Sequence, residues 1–380
     1  MQIFITILAA VFVFAIVIFI HELGHFVFAK LFGVRVNEFA IGMGPKIIKK
    51  QGKQTLYSVR AVPFGGFCAM EGEDENSDDP NALNHKPVWQ RVIIVCAGAV
   101  FNVILGFILY LIILGVNPTT TVPVVDGFTE QSQAQAAGMM EGDRIVKLDD
   151  TSVHIYNDVL FFMQRADGSP IDVTVERNGE KVVVPVTPVK VEESYEYFED
   201  KVVYTMKQNG FQVDSQTITE GIEAYRDKAG TKETSSRYLL GFTPEKHDRS
   251  LGGLLYEAFY NTIFICKVVY VSVFELVTGQ LPLSQLSGPV GIISGISEAA
   301  QTGFLTLLNF LAMITINLGI FNLLPIPALD GGRLVFLIVE AIRRKPVPPE
   351  REGLVHMIGF AVLILFIIVV SFSDIMKLFA

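Results

Sequence analysis

Charge is what this sequence has least of. Only 18% of its 380 residues are Asp, Glu, Lys or Arg, against roughly a quarter in soluble domains, while 51% are apolar and the mean hydropathy is +0.45. That excludes an ordinary soluble protein, and the apolar content excludes a disordered one. Thirty basic residues against 39 acidic ones leave −9, which speaks against nucleic acid as a partner. Cysteine is scarce as well. Cys68, Cys96 and Cys266 are odd in number and far apart, so they build neither a disulfide framework nor a Cys-x-x-Cys metal pair. The first apolar run has no Lys or Arg before it and no small-residue cleavage site after it, so it reads as a span and not as a signal peptide. No internal repeat and no low-complexity tract is present. The class that remains is an integral membrane protein with a soluble part, of two or three domains by length.

Four runs read as membrane spans: Phe4 to Ile20, Val92 to Val116, Phe304 to Leu324 and Leu354 to Phe372. Leu254 to Val277 is also apolar but carries Glu257, Lys267 and Glu275. The loop after the first span holds Lys30, Arg35, Lys46, Lys49, Lys50, Lys53 and Arg60, and the loop before the last span holds Arg333, Arg343, Arg344, Lys345 and Arg351. By the positive-inside rule both loops are cytoplasmic. That requires Leu254 to Val277 not to cross, so it reads as an amphipathic helix lying on the outer surface. The expected division is residues 1–116 with two spans and the cytoplasmic loop, 117–252 outside, 253–300 as surface helix and connector, and 301–380 with the last two spans. Both termini then lie outside.

The outer segment carries 14 basic and 23 acidic residues and reads as β-rich. Val173 to Glu176 and Lys181 to Val186 alternate in polarity around Arg177-Asn178-Gly179-Glu180, a hairpin signal, and Asp158 to Arg165 predicts a short helix.

His21-Glu22-Leu23-Gly24-His25 is an H-E-x-x-H pattern. On a helix its two imidazoles share a face and can bind one metal while Glu22 reaches a bound water. Ionisable groups at an apolar span are costly and usually functional. A catalytic zinc takes three protein ligands, so a third is required. Asp330 offers it, just after the third span and after the helix-breaking Pro325 and Pro327. Irregular backbone at membrane depth survives only when covered by protein or lining a wet cavity. With four spans His25 and Asp330 lie on the same, inner side; with five they would lie on opposite sides. Asn322 can donate to an oxyanion or act as helix glue, and Asn309 and Asn317 read as glue. His85, His154, His247 and His356 have no partner spacing and read as surface or core residues.

Taken together, these motifs resemble the site-2 proteases of the bacterial regulator-of-sigma-E type over nearly the full length. The resemblance rests on His21 to His25 and on Asn322-Leu323-Leu324-Pro325-Ile326-Pro327-Ala328-Leu329-Asp330-Gly331-Gly332. It is reinforced by Leu286-Ser287-Gly288-Pro289-Val290-Gly291-Ile292, Gly42-Met43-Gly44-Pro45 and Pro63-Phe64-Gly65-Gly66-Phe67. It implies one zinc per chain held by His21, His25 and Asp330, Glu22 as catalytic base, and Asn322 near the substrate carbonyl. Gly42-Met43-Gly44 reads as a simple turn by itself. The resemblance makes it part of a re-entrant β-hairpin that pairs with substrate, with Gly65-Gly66 as a second such loop. Ala136-Ala137-Gly138-Met139-Met140-Glu141-Gly142-Asp143-Arg144-Ile145 resembles a stretch of bacterial PDZ domains, which sets a PDZ-like domain at about 122–190. Where that family has Ser-Pro-Ala, this chain has Ser132-Gln133-Ala134.

The fold expected is therefore a polytopic α-helical membrane protein of four spans with one extracytoplasmic, β-rich PDZ-like domain, in a bacterial inner membrane with its active site towards the cytoplasm. The function implied is zinc-dependent intramembrane cleavage of single-pass membrane proteins, after another protease has trimmed them. A metal-loaded PDZ scaffold without turnover is the alternative, although it has no use for Glu22. A proton or metal transporter is disfavoured because the spans show no inverted repeat.

Overall fold

The computed structural model describes residues 2–379 except 74, 76, 131, 209–210, 220–227 and 283–285. The chain forms two units, residues 1–113 with 265–380, and residues 114–264. In order, α1 (Gln2–Leu31), β1 (Val36–Gln51), β2 (Leu56–Met70) and α2 (Val88–Val116) lead into the second unit. There follow β3 (Thr119–Phe128), α3 (Gln133–Ala136), β4 (Arg144–Leu148), β5 (Thr151–Ser152), α4 (Tyr156–Met163), β6 (Ile171–Arg177), β7 (Glu180–Val186), β8 (Val189–Tyr197), β9 (Val202–Gln208), β10 (Phe211–Ile218), β11 (Lys232–Leu239) and β12 (Phe242–Asp248). The chain then runs through α5 (Leu251–Val277), which straddles the division, to α6 (Pro289–Thr302), α7 (Phe304–Leu323), α8 (Asp330–Arg343) and α9 (Pro349–Phe379).

Five helices are long and apolar enough to cross a membrane: α1, α2, α5, α7 and α9. In hydrocarbon every backbone N–H and C=O needs an internal partner, which is why such runs form uninterrupted helices. α1 continues 11 residues past Ile20, so the His21 to His25 motif lies inside the helix and not at its end. Polar side chains end an apolar run without ending a helix, because helix hydrogen bonding is made by the backbone.

Small residues bring the helices together. A Cβ on Gly24 of α1 would sit 2.4 Å from the Ala97 carbonyl oxygen of α2. Gly319 of α7 meets Ala99 of α2, and Gly106 of α2 meets Ile316 of α7, so α2 and α7 run antiparallel in close contact. α6 marks one end of this unit. There the Ser297 hydroxyl bonds Thr6 of α1 (2.7 Å), and Asp374 of α9 accepts the N–H groups of Gly288 and Gly291 at 2.8 and 2.9 Å. At the opposite end Arg91 of α2 pairs with Glu340 of α8. The start of α1, the start of α7 and the end of α9 thus share the α6 end.

β1 and β2 form an antiparallel pair in which both strands fold back on themselves. Phe39 opposes both Cys68 and Tyr57, and Val59 opposes both Ile41 and Ile48. The pairing therefore runs as four short segments, 66–70, 36–41, 56–60 and 46–51, side by side. Gly42 and Gly44, with φ of +83° and +82°, sit where β1 turns over, inside a strand and not in the connecting turn. Met43 packs on Gly65 of β2. Glu38 ties the segments, its carboxylate accepting from Ser58 (2.6 Å), Arg60 (2.8 Å) and Lys46 (2.9 Å).

The second unit is built from two sheets, in the orders β12-β3-β4-β6-β7 (with β5 on β4) and β10-β9-β8-β11. The first packs its alternating side chains, among them Val125, Ile145, Leu148, Val173 and Val184, against Val159 of α4. Asn178 and Gly179, both at positive φ, make the two-residue turn of the β6–β7 hairpin. β12 closes this sheet by pairing with β3 from Phe242–Phe128 to Asp248–Thr119, so the sheet extends well past residue 190 and β8 to β11 are an insertion in it. The beginning of α5 belongs to the same unit, with Glu257 accepting from Thr120 (2.7 Å) and Arg249 (2.9 Å) and Phe264 edge-on to Phe161.

Asp143, 1% exposed, accepts from Arg177 at 2.7 and 2.6 Å and from the Met140 amide at 2.9 Å. Burial works to raise its carboxyl, yet the Arg177 bonds win and hold it below the usual aspartate range. A depressed native pKa stabilises the fold fully above the unfolded value, near 3.8, and that contribution is lost as the pH falls below it. Arg177→Met is expected to move acid unfolding of β4, β6 and β7 to higher pH, read by hydrogen exchange of residues 144–186 against β8 to β11 as internal reference. An unchanged midpoint would remove this pair from the domain's acid stability.

Candidate metal centre

α1 presents His21, Glu22 and His25, while Asp330 is the first residue of α8. Three atoms converge: His21 Nε2 and His25 Nε2 are 3.2 Å apart, and Asp330 Oδ2 lies 3.2 Å from the first and 3.3 Å from the second. Both histidines are 8% exposed. Among the described residues this is the one His/Cys/Asp/Glu group arranged to hold a metal ion. His25 Nδ1 faces the Ile94 carbonyl of α2 at 2.9 Å, so it carries the proton and leaves a lone pair on Nε2. Asp330 Oδ2, buried, has no well-directed hydrogen bond. Lone pairs this close repel unless a cation lies between them. Ligand bonds of about 2.0–2.1 Å at tetrahedral angles give edges of about 3.3 Å, which is the size of this triangle and leaves a fourth position open. The donor set fits zinc.

Backbone packing places each group. Gly98 of α2 lies under the histidines, and a Cβ there would stand 2.4 Å from His25 Nε2. After α7, Pro325 and Pro327 break the helix, Ala328 adopts φ +77°, and the loop folds onto the first turn of α8. Gly331 makes that possible, because its Cβ would fall 1.9 Å from the Leu324 carbonyl oxygen. Asn322, at the end of α7, sets its amide 3.3 Å from His21 Nε2.

A cavity of about 960 Å³ opens beside this cluster, lined by His21, Glu22, His25, Phe67, Met70 and Asp330 among others. The segment 66–70 of β2 forms part of its wall, and among the described residues it is paired on one side only, with 36–41. Gly66 lies against α1, where a Cβ would sit 3.2 Å from Ile18 Cγ2 and 3.4 Å from Glu22 Cγ. Gly42, Met43 and Gly44 lie at the fold-over of β1 and are not among the residues lining the cavity.

Two comparisons bear on this cluster. The family described as "Peptidase family M50" matches residues 9–366. The chain belongs to peptidase family M50. This is the site-2 protease family expected from the two motifs, and zinc is the cofactor expected of it. The chain is 38% identical over 372 residues to a protein of Clostridium acetobutylicum provisionally named a zinc metalloprotease, covering 98% of each. It is 30% identical over 457 residues to the regulator of sigma-W protease RasP of Bacillus subtilis, covering 98% of this chain and 99% of that one. It is 30% identical over 459 residues to the zinc metalloprotease RasP of Oceanobacillus iheyensis, with the same coverage.

In this M50 peptidase two residues near the centre were not legible as such. Asn102 of α2, fully buried, has its amide 3.4 Å from His21 Nδ1, while its Oδ1 has no hydrogen-bond partner. With the amide turned over, Oδ1 faces His21 Nδ1 and can accept its proton. In the sequence Asn102 is only an interruption of an apolar run. His356, read as an ordinary surface or core residue, lines the cavity, and its Nδ1 accepts the Ala328 N–H at 2.9 Å.

Gly98→Ala is expected to abolish stable metal binding while the protein still inserts and folds, since the added carbon takes space at His25 Nε2. Metal analysis of the purified variant beside the native protein checks it. Full zinc content in Gly98→Ala would show that the centre lies elsewhere.

Proposed function

We propose that this chain is an intramembrane zinc endopeptidase that cuts transmembrane segments of single-pass membrane proteins. The observation that carries the reading is the His21–His25–Asp330 triangle beside Glu22, next to a β-segment with one free edge. His21, His25 and Asp330 would hold the zinc. Bound there, zinc would supply Lewis acidity and lower the pKa of the attacking water. Glu22, beside the triangle, is the base that would take a proton from the attacking water and return it to the leaving amine. Asn322 donates a hydrogen bond to the oxyanion forming on the substrate carbon, a role worth roughly 3–4 kcal/mol where such donors have been removed.

A helical substrate hides its amides in its own hydrogen bonds, so cleavage needs extended backbone. The open edge at 66–70, including Gly66, offers partners by strand addition. Gly42, Met43, Gly44 and Gly65 shape the fold-over of the hairpin that presents this edge.

Four spans fit better than five. α2 leaves, and α7 begins, at the same end of the helical unit, so the chain between them crosses an even number of times and α5 alone does not cross. Its first half is also engaged with the β-rich unit through Glu257 and Phe264. The 13 residues from 265 to 277 would span about 20 Å, short of the roughly 30 Å of hydrocarbon. Residues 117–252 then form an extracytoplasmic domain with a PDZ-like part, and the zinc site faces the cytoplasm of a bacterial inner membrane. Pre-trimmed anti-sigma factors and signal-peptide remnants are the candidate substrate classes, and the Bacillus relative is named a regulator of sigma-W protease.

One zinc per chain is expected, lost in His21→Ala, His25→Ala and Asp330→Ala and kept in the inactive Glu22→Gln. Full zinc in Asp330→Ala would remove the third ligand. Substrates co-purifying with Glu22→Gln would identify what is cut. For topology, a cysteine at Asn178 in a cysteine-free background should react with an impermeant reagent from outside, and one at Lys345 only from inside. External labelling at Lys345 would mean that α5 crosses.

A further inference from the structure

Two of the three ligands ride on α1, where helix geometry fixes them. The third depends on a five-residue break, Pro325 to Leu329, which prolines at two positions leave short of donors. Ile326 N–H bonds the Leu324 carbonyl at 2.6 Å and Leu329 N–H bonds that of Ile326 at 3.2 Å. The remaining donor, Ala328 N–H, goes to a different helix: it donates to His356 Nδ1 on α9 at 2.9 Å. Ala328 is also one of four described residues other than glycine with positive φ. The others are Asp149, Asn178 and Arg344, of which Asn178 sits in a hairpin turn and Arg344 caps a helix. An alanine has no side-chain group to support that conformation, so support comes from outside. α9 is cut to receive the loop. Gly359, one turn beyond His356, leaves room for Pro327, which a Cβ would approach to 2.3 Å, and Gly332 clears the His356 ring. Nδ1 as acceptor puts the ring proton on Nε2, which faces Glu352 Oε1 at 3.8 Å.

We propose that His356 is a positioning residue of the metal centre: by accepting the Ala328 amide it holds the loop in the conformation that aims Asp330 at the histidines. Only Leu329 separates Ala328 from Asp330, so a change at Ala328 swings the carboxylate relative to α1. The inference rests on the reading of Asp330 as a zinc ligand. His356→Leu removes the acceptor. His356→Asn restores one near the position of Nδ1, whereas His356→Gln places its amide near that of Nε2. Ala328→Gly lets the loop take positive φ without help.

The test uses full-length enzyme in detergent and three readouts: zinc release to a chelator, kcat and KM on a transmembrane peptide, and hydrogen exchange of residues 322–333 in metal-free protein. His356→Leu is expected to weaken zinc retention about 10- to 100-fold, the usual effect of losing a group that supports a metal ligand, with kcat falling and KM little changed. Exchange of 322–333 should quicken. His356→Asn should stay near native, His356→Gln should resemble His356→Leu, and Ala328→Gly should recover much of what His356→Leu loses. Should His356→Leu not fold, the contrast between Asn and Gln carries the test. Native zinc retention together with native exchange in His356→Leu would overturn the proposal. Equal damage in Asn and Leu, with no rescue by Ala328→Gly, would overturn it too, leaving His356 as packing alone. Faster exchange with native zinc retention would instead sink the ligand reading of Asp330.

Discussion

Backbone without partners is not tolerated in hydrocarbon, and this constraint shapes the metal centre more than any contact within it. A carboxylate ligand has to arrive at the depth of a histidine pair held on a continuous helix, and the chain that brings it must leave its own helix. The break at Pro325 to Leu329 is the result, and its cost is spread over the neighbours. Gly331 lets the loop lie on the first turn of α8. Gly359 admits Pro327, and the Ala328 amide is taken up by a ring on α9. On the other side Gly98 and Gly24 bring α2 against α1 closely enough for the Ile94 carbonyl to fix the tautomer of His25. Of the three proposed ligands, two are thus oriented by helix packing and, on the proposal above, one by a loop held from outside itself, and their donor atoms meet in a triangle of zinc dimensions.

In the proposed function the same constraint acts on the substrate. A transmembrane helix presents no free amides, and unwinding it in lipid would strand them. The hairpin of β1 and β2 would answer this with the strand edge it places beside Glu22. The pairing uses each long strand twice, which leaves 66–70 at the border with one side open. Glu38, gathering Ser58, Arg60 and Lys46, keeps the fold-over closed so that the open edge stays where the cavity is.

How far this was legible in the sequence follows from the range of each interaction. The histidine pair was readable because i and i+4 share a helix face, and Asp330 because charge and span count put it at the same depth. The Asn178-Gly179 turn was readable because its conformation is a property of those two residues. Gly42-Met43-Gly44 reads locally as a simple turn, and only the resemblance pointed to a hairpin, since glycine at positive φ serves a folded-over strand as well as a turn. β12 was invisible: Phe242 to Asp248 lacks alternation, and its partner lies more than a hundred residues earlier. Asn102 and His356 bond to groups 81 and 28 positions away, so no spacing announces them.

Charge completes the division of labour. Residues 117–252 carry −9, the whole net charge of the chain, and the remainder is neutral. Within that neutral remainder basic residues gather in two stretches, Lys30 to Arg60 and Arg333 to Arg351, each following a part of the metal centre in sequence, and the proposed topology retains both in the cytoplasm. The acids of residues 117–252 have little weight in that rule, and an excess of one sign favours the solubility of a β-rich domain and disfavours acidic partners. In the proposed function, a substrate helix has to surrender its hydrogen bonds to the strand edge at 66–70 before Glu22 can act on it.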